Sequence, residues 1–235
     1  MQDFGDAFAL AFSLLASVDP DLMEIVGLSL YVSVTATLLA CLMGIPLGAA
    51  LAVSRFRGRG AALVFVHALM GLPPVVVGLV VYLMLSRAGP LGVLGLLYTP
   101  TAMIVAQTIL ITPIVIALSR QALEALHGEY AEQFRSLCLS RRQVVGALVW
   151  DGRLALLTVA LAGFGRAIAE VGAVIVVGGN IDHLTRVMTT AIALETSKGD
   201  LAMALALGIV LLVLALAVNA LVLSARQTVE RHAYA

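Results

Sequence analysis

Charge is what this sequence has least of. Only 12% of its 235 residues are Asp, Glu, Lys or Arg, while 61% are apolar and the mean hydropathy is +1.06. Soluble domains carry about 25% charged residues, so the chain lacks the polar surface to cover a water-facing core and reads as a membrane protein. Cysteine is scarce as well. Cys41 and Cys138 stand alone without C-x-x-C spacing, which excludes a disulfide framework and a thiolate metal site. No G-x-x-x-x-G-K-[ST] phosphate loop occurs. The formal net charge of zero excludes a broad basic nucleic-acid surface. No nucleophilic triad or carboxylate pair stands out as a catalytic centre, and nothing calls for a cofactor or a metal. His67 and Cys41 read as packing residues within apolar runs; His127, His183 and His232 read as solvated.

Long apolar runs are what the sequence does have. A spanning helix needs about 20 residues at 1.5 Å each. Residues 25–54, 60–86, 88–119 and 201–225 carry no charge, and 154–181 is interrupted only by Arg166 and Glu170. The third run opens on Gly89-Pro90-Leu91-Gly92, a turn signal, so its span starts at Pro100, where proline suits a first helical turn. Five transmembrane helices result. Runs of this length argue against a β-barrel.

Basic residues collect on the cytoplasmic side of membrane proteins. Arg55, Arg57 and Arg59 follow the first run, Arg120, Arg135, Arg141, Arg142 and Arg153 follow the third, and Arg226 and Arg231 follow the last, against Arg87, Arg186 and Lys198 on the other face. This places the N-terminus outside and the C-terminus in the cytoplasm. Asp3, Asp6, Asp19, Asp21 and Glu24 precede the first span with no basic residue, unlike the basic start of a secretory signal. Phe4, Phe8, Phe12 and Leu15 share one helical face, as in a short helix lying in the outer interface; a disordered tail is the alternative.

The largest soluble segment is the cytoplasmic stretch 120–153, too short for an independent enzyme domain. Within it, 124–147 reads EALHGEYAEQFRSLCLSRRQVVGA, with Ala131, Phe134 and Leu137 at helical spacing and Ser140 as N-cap of a second helix through Gln143. Two short amphipathic helices make either a docking surface or a hairpin packed on its own membrane domain. In the first span, Gly44, Gly48, Ala49 and Ala52 form a small-residue face for close helix contact.

Residues 129–145 resemble the cytoplasmic loop of binding-protein-dependent ABC importer permeases. Glu132-Gln133-Phe134 stands where Glu-Ala-Ala is usual, Cys138 takes a glycine place, and Val149-Trp150-Asp151 replaces Leu-Pro. The runs GFGRAIAEVGA (163–173) and GGNI (178–181) are similar to the fourth span and outer loop of importers for molybdate, sulfate and tungstate, and TRVMTTAIALETSKGD (185–200) looks most like the tungstate type. The resemblance implies an all-α permease of type I fold across 1–235, with 120–153 as its ATPase-docking loop. Glu132, Phe134, Leu137, Cys138, Ser140, Arg141 and Gln143 would carry the docking. It also implies a homodimer in lipid, an ATP-binding subunit beneath each copy, and an oxyanion-binding protein outside.

Individual residues leave room for two roles each. Arg166 and Glu170, four apart, pair within the membrane, either as a structural ion pair or as a station for a passing dianion; the structural role fits better, since a free guanidinium would trap the cargo. Gln107, Thr108 and Thr112 lie on one face of the third span, as pathway donors or as interhelical hydrogen-bonding groups. Asn180, after Gly178-Gly179, together with Thr189 and Thr190, offers donors at the outer loop, or merely shapes a turn. Pro73-Pro74 must break the second span, as a gate hinge or for packing. The function implied is import of tungstate or a related oxyanion, powered by a separate ATPase. The alternative is a stand-alone secondary transporter or membrane enzyme, for which Glu170 is the sole mid-membrane carboxylate.

Overall fold

The computed structural model describes residues 4–17 and 19–233. Asp3 and the side chains of Phe4, Asp6, Arg226, Arg231 and His232 lie outside the described set. All regular elements among the described residues are helical: α1 (Phe4–Ala16), α2 (Pro20–Val53), α3 (Arg59–Met70), α4 (Pro74–Leu85), α5 (Pro100–Glu129), α6 (Ala131–Ser136), α7 (Arg141–Asp151), α8 (Arg153–Ile168), α9 (Gly172–Gly178), α10 (Met188–Lys198) and α11 (Leu201–Ala233).

Three helices, α2, α5 and α11, are long and apolar enough to cross a membrane, and the bent pairs α3–α4 and α7–α8 bring the number to as many as five. Proline explains the first bend: Pro73 and Pro74 supply no amide donors, α3 stops at Met70, and Pro74 starts α4 at the position that tolerates it. The sequence differs from the structure in the run 154–181. It is not one helix. α8 ends at Ile168, and α9 begins at Gly172, because the Glu170 carboxylate accepts the Ala173 amide (3.1 Å) and so supplies a side-chain start for α9 instead of a continuing helix.

The chain divides into two compact units. One holds residues up to Ala36, Pro73–Gln107 and Gly165–Ala217; the other holds Thr37–Leu72, Thr108–Phe164 and the residues from Val218. In the first unit α4 lies hard against α9: a Cβ on Gly78 would stand 2.8 Å from the Ala173 Cα. In the second unit α2 meets α5 along the small-residue face read from the sequence. A Cβ on Gly44 would lie 2.8 Å from Val115 Cγ1, and one on Gly48 2.8 Å from the Ile116 carbonyl oxygen. Ala49 and Ala52 continue that face into a core with Leu123, Val144, Leu148 and Leu156.

Substituting Gly48 with valine drives a side chain onto backbone that cannot yield, and is expected to cost about 1–3 kcal/mol. Gly27→Ala on the same helix, where nothing lies within 4 Å, should be neutral or stabilising. Thermal unfolding in detergent compares the two; equal melting temperatures would refute the contact.

The uncovered faces are apolar. Tyr31, Leu38 and Leu42 of α2, Val75, Leu79 and Leu83 of α4, and Leu212 and Leu216 of α11 are all exposed, as suits helices whose outer faces meet hydrocarbon. His67, expected to be packed in a core, is exposed on α3, where Val66 is the sole buried residue.

Candidate functional site

The loop after α5 is built as two stops and one start. α5 runs on past its apolar stretch to Glu129, carrying the His127 ring to Phe134 (centroids 6.1 Å apart, planes at 20°), and Tyr130 packs on the same ring at 5.8 Å. His127 is therefore half-buried rather than solvated. The Tyr130 hydroxyl bonds the Asp151 carboxylate, whose charge pushes the phenol pKa upward.

α6 ends in a left-handed turn. The Leu139 amide donates to the Phe134 carbonyl (3.2 Å) and the Cys138 amide to the Arg135 carbonyl (3.1 Å), with Cys138 at φ +50°. This is the Schellman arrangement, in which the residue after the cap is left-handed and usually glycine. A non-glycine residue there costs about 1–2 kcal/mol. Phe134 and Leu139 both pack on the Leu123–Val144–Leu148 core, supplying the hydrophobic contact that accompanies such turns. Then α7 starts: the Ser140 amide and hydroxyl both donate to Gln143 Oε1 (2.9 and 2.7 Å), so the N-cap read from the sequence is in place.

The turn changes which side chains face outward. Ala131, Phe134 and Leu137 do not form one buried stripe, because the helix ends at Ser136. Leu137 is 62% exposed, and Leu139 takes the inward place. Among the seven residues singled out, Phe134 is an anchor, whereas Glu132, Leu137, Cys138, Ser140, Arg141 and Gln143 are exposed. Trp150, the single tryptophan, is 72% exposed with the Arg153 guanidinium 5.2 Å from its ring centroid. Its uniqueness was the sequence signal that could have marked it. Near the loop, Glu124 bridges Arg59 and Arg120 (2.6 Å each), and Arg59 Nε also donates to the Leu51 carbonyl, joining α2, α3 and α5.

A second group of polar residues is buried in the first unit. Glu170, 4% exposed, accepts Arg166 Nη1 at 2.5 Å as well as the Ala173 amide. The pairing matches the sequence reading but for another reason: Arg166 sits in the last turn of α8, and Glu170 lies beyond it in the break. Thr189 donates to the Glu170 carbonyl (2.8 Å), and Gln107 Nε2 to the Ala167 carbonyl (3.1 Å). Ser29, Ser33, Gln107, Glu170 and Thr189 surround a void of about 10 Å³, roughly the space of a single water. Gln107 Oε1 is buried there without a partner. The structure thus brings Gln107, Glu170 and Thr189 together. Ser29 and Ser33, four apart on an apolar helix, were missed, although their spacing marks one face.

Other candidates fall elsewhere. Thr108 and Thr112 belong to the second unit, and the Thr112 hydroxyl returns to the Thr108 carbonyl of its own helix (2.7 Å). Thr190 caps α10 by accepting the Val187 amide (3.2 Å), and Asn180, left-handed at φ +51°, has its Oδ1 buried without a partner.

The loop between α9 and α10 is fastened to α2. The Met188 amide donates to Ser29 Oγ (2.8 Å), and His183 Nδ1 lies 2.8 Å from Glu24 Oε2. The hydrogen bond to Glu24, its charge, and those of Asp182 and Asp21 raise the His183 pKa above its ordinary value near 6.5. The protonated pair is complete below that value and is lost as pH rises through the raised one. Thermal stability should therefore fall slightly as pH rises past about 6.5 and through the raised value in the parent chain but not in His183→Gln; superimposable pH profiles would show that the contact contributes nothing.

Comparison with known proteins gives a consistent answer. Residues 44–231 match the family described as binding-protein-dependent transport system inner membrane component. The chain is 42% identical over 227 residues to the tungstate uptake system permease protein TupB of Peptoclostridium acidaminophilum, covering 97% of this chain and all of that one. It is 41% identical over 205 residues to a probable anion ABC transporter permease protein of Haloferax volcanii (85% and 88% covered), and 37% identical over 214 residues to the TupB of Campylobacter jejuni (91% and 90% covered). A helical chain with membrane-length apolar helices and a capped loop at the end of α5, matched along nearly its whole length, belongs to the family of binding-protein-dependent ABC transport permeases.

Proposed function

We propose that the chain is the membrane permease of an importer for tungstate or a closely related oxyanion, driven by a separate ATP-binding subunit. The observation that carries this reading is the loop 120–153: its anchors, Phe134 and Leu139, hold it on the helical core, while Leu137 and Cys138 stand out at the tip. An apolar side chain presented on a rigid turn is what a helix-in-cleft contact needs. In this reading the loop is cytoplasmic, the N-terminus lies outside and the C-terminus inside, in keeping with the arginine distribution. Two copies enclose one pathway, and an extracytoplasmic oxyanion-binding protein delivers the cargo.

ATP binding closes the two ATPase subunits, draws the docked loops together and opens the permease outward; hydrolysis returns it inward. Gln107, Thr108, Thr112, Asn180, Thr189 and Thr190 are the pathway candidates. Their hydroxyls and amides are neutral, so they hold a dianion weakly enough to release it. Arg166 is already neutralised by Glu170 and acts as a structural ion pair.

The test is uptake into proteoliposomes holding the chain with an ATP-binding subunit and an oxyanion-binding protein. ATP-dependent accumulation of tungstate, with molybdate and sulfate as weaker competitors, is expected. Uptake without any ATP-binding subunit would overturn the reading, and equal competition by all three anions would overturn the tungstate assignment.

A further inference from the structure

On the loop, an open cavity of about 230 Å³ is lined by Val53, His127, Phe134, Arg135, Cys138, Arg141 and three further apolar residues. No carboxylate is among its lining residues. It is much larger than a water's share of the liquid, about 30 Å³. Among the described residues, its polar lining is His127, Arg135, Cys138 and Arg141, each cationic or able to donate. Arg135 and Arg141 are exposed and, among the described residues, engaged by no ion pair. His127 Nδ1 is buried without a hydrogen-bond partner, a donor position when the ring carries its proton there. Arg141 is the first residue of the eleven-residue α7, whose amide ends add positive potential.

Glu124 shows how this chain treats arginines that need a fixed internal partner: it holds Arg59 and Arg120 together. Arg135 and Arg141 have no such carboxylate. Two arginines among otherwise mostly apolar lining residues suit a compact group bearing several acceptor oxygens, and basic pockets between membrane helices bind phosphate headgroups. We propose that this cavity binds a phosphate-type oxyanion group, taken either from free inorganic phosphate or from the headgroup of an anionic phospholipid. This assignment does not depend on which anion the permease carries.

Cys138 lines the cavity and is exposed, which provides a reporter once Cys41→Ala removes the other cysteine. The full chain in phosphatidylcholine nanodiscs, without an ATP-binding subunit, is labelled with a maleimide at constant ionic strength. Millimolar inorganic phosphate is expected to slow the reaction of Cys138 about 3-fold or more through occupancy, with chloride inert. The Arg135→Gln/Arg141→Gln pair, both at exposed positions that leave the core untouched, should abolish the effect, and the corresponding lysine pair should restore part of it. If the slowing appears only when phosphatidylglycerol replaces part of the neutral lipid, and again depends on the arginines, the site stands with the headgroup as its ligand. No slowing in either medium, or equal slowing in the glutamine variant, overturns the proposal.

Discussion

Replacing Leu137 with aspartate is expected to abolish ATP-driven uptake while leaving the chain folded. The side chain is 62% exposed and is not part of the Leu123–Val144–Leu148 core, so folding loses little. If the tip enters a cleft on the ATP-binding subunit, the variant forfeits the burial of one leucine, about 1.5–3 kcal/mol, and adds the cost of desolvating a carboxylate. Together these weaken docking by about 100-fold or more. Copurification with the ATP-binding subunit and uptake should fail together, with an unchanged gel-filtration profile. Phe134→Ala is the contrasting case. It removes an aromatic anchor half-buried against His127 and Tyr130, so docking and loop stability fall together. Full uptake by the Leu137→Asp chain would remove the tip from the coupling contact.

The largest folding defect is expected from Glu170→Ala. That change leaves the Ala173 amide without its acceptor and Arg166 without its counter-ion. Breaking a buried pair costs about 3–5 kcal/mol, and Arg166, at 38% exposed, holds the figure toward the lower end. Glu170→Gln keeps an oxygen for Ala173 but strands the guanidinium; adding Arg166→Met removes the stranded charge. The double variant should recover most of the thermal stability and, if the pair is structural, most of the uptake. A folded double variant with no uptake would show instead that these charges act on the cargo.

Where sequence and structure agree, a short-range rule decides. Two consecutive prolines end a helix wherever they fall, so the break at Pro73-Pro74 was legible. So were the Ser140 start, since a hydroxyl residue before a polar N3 is a local device, and the Gly44–Gly48 face, since small residues at four-residue spacing permit close approach. The break after Ile168 was hidden because no helix breaker marks it: the decisive partner, the Glu170 carboxylate, looks from spacing alone like the second member of a helical pair. Helical spacing alone puts Leu137 on the face of Phe134, but α6 ends at Ser136 and Leu137 is its exposed C-cap; the left-handed turn at Cys138 was legible only through the resemblance, in which Cys138 takes a glycine place, because cysteine does not announce such a turn as glycine would. Ser29 and Ser33 were legible and overlooked. Their hydroxyls hide among apolar neighbours, and nothing local told that Met188, far along the chain, would need an acceptor. His67 and His127 went the opposite ways to expectation for the same reason, because the exposure of a histidine depends on what distant helices leave uncovered.

The membrane helices differ in how much of themselves the chain encloses: 67% of the apolar window of α5 is buried, but only 28% of that of α11. The two helices therefore stand under different constraints as the sequence diverges. Along α11 most positions ask only for oiliness, so leucine, valine and alanine can exchange there with little consequence, whereas along α5 each side chain answers to particular neighbours. Variation between relatives should accumulate on the first helix and be refused on the second, even though hydropathy alone would rank α11 as the more membrane-like of the two.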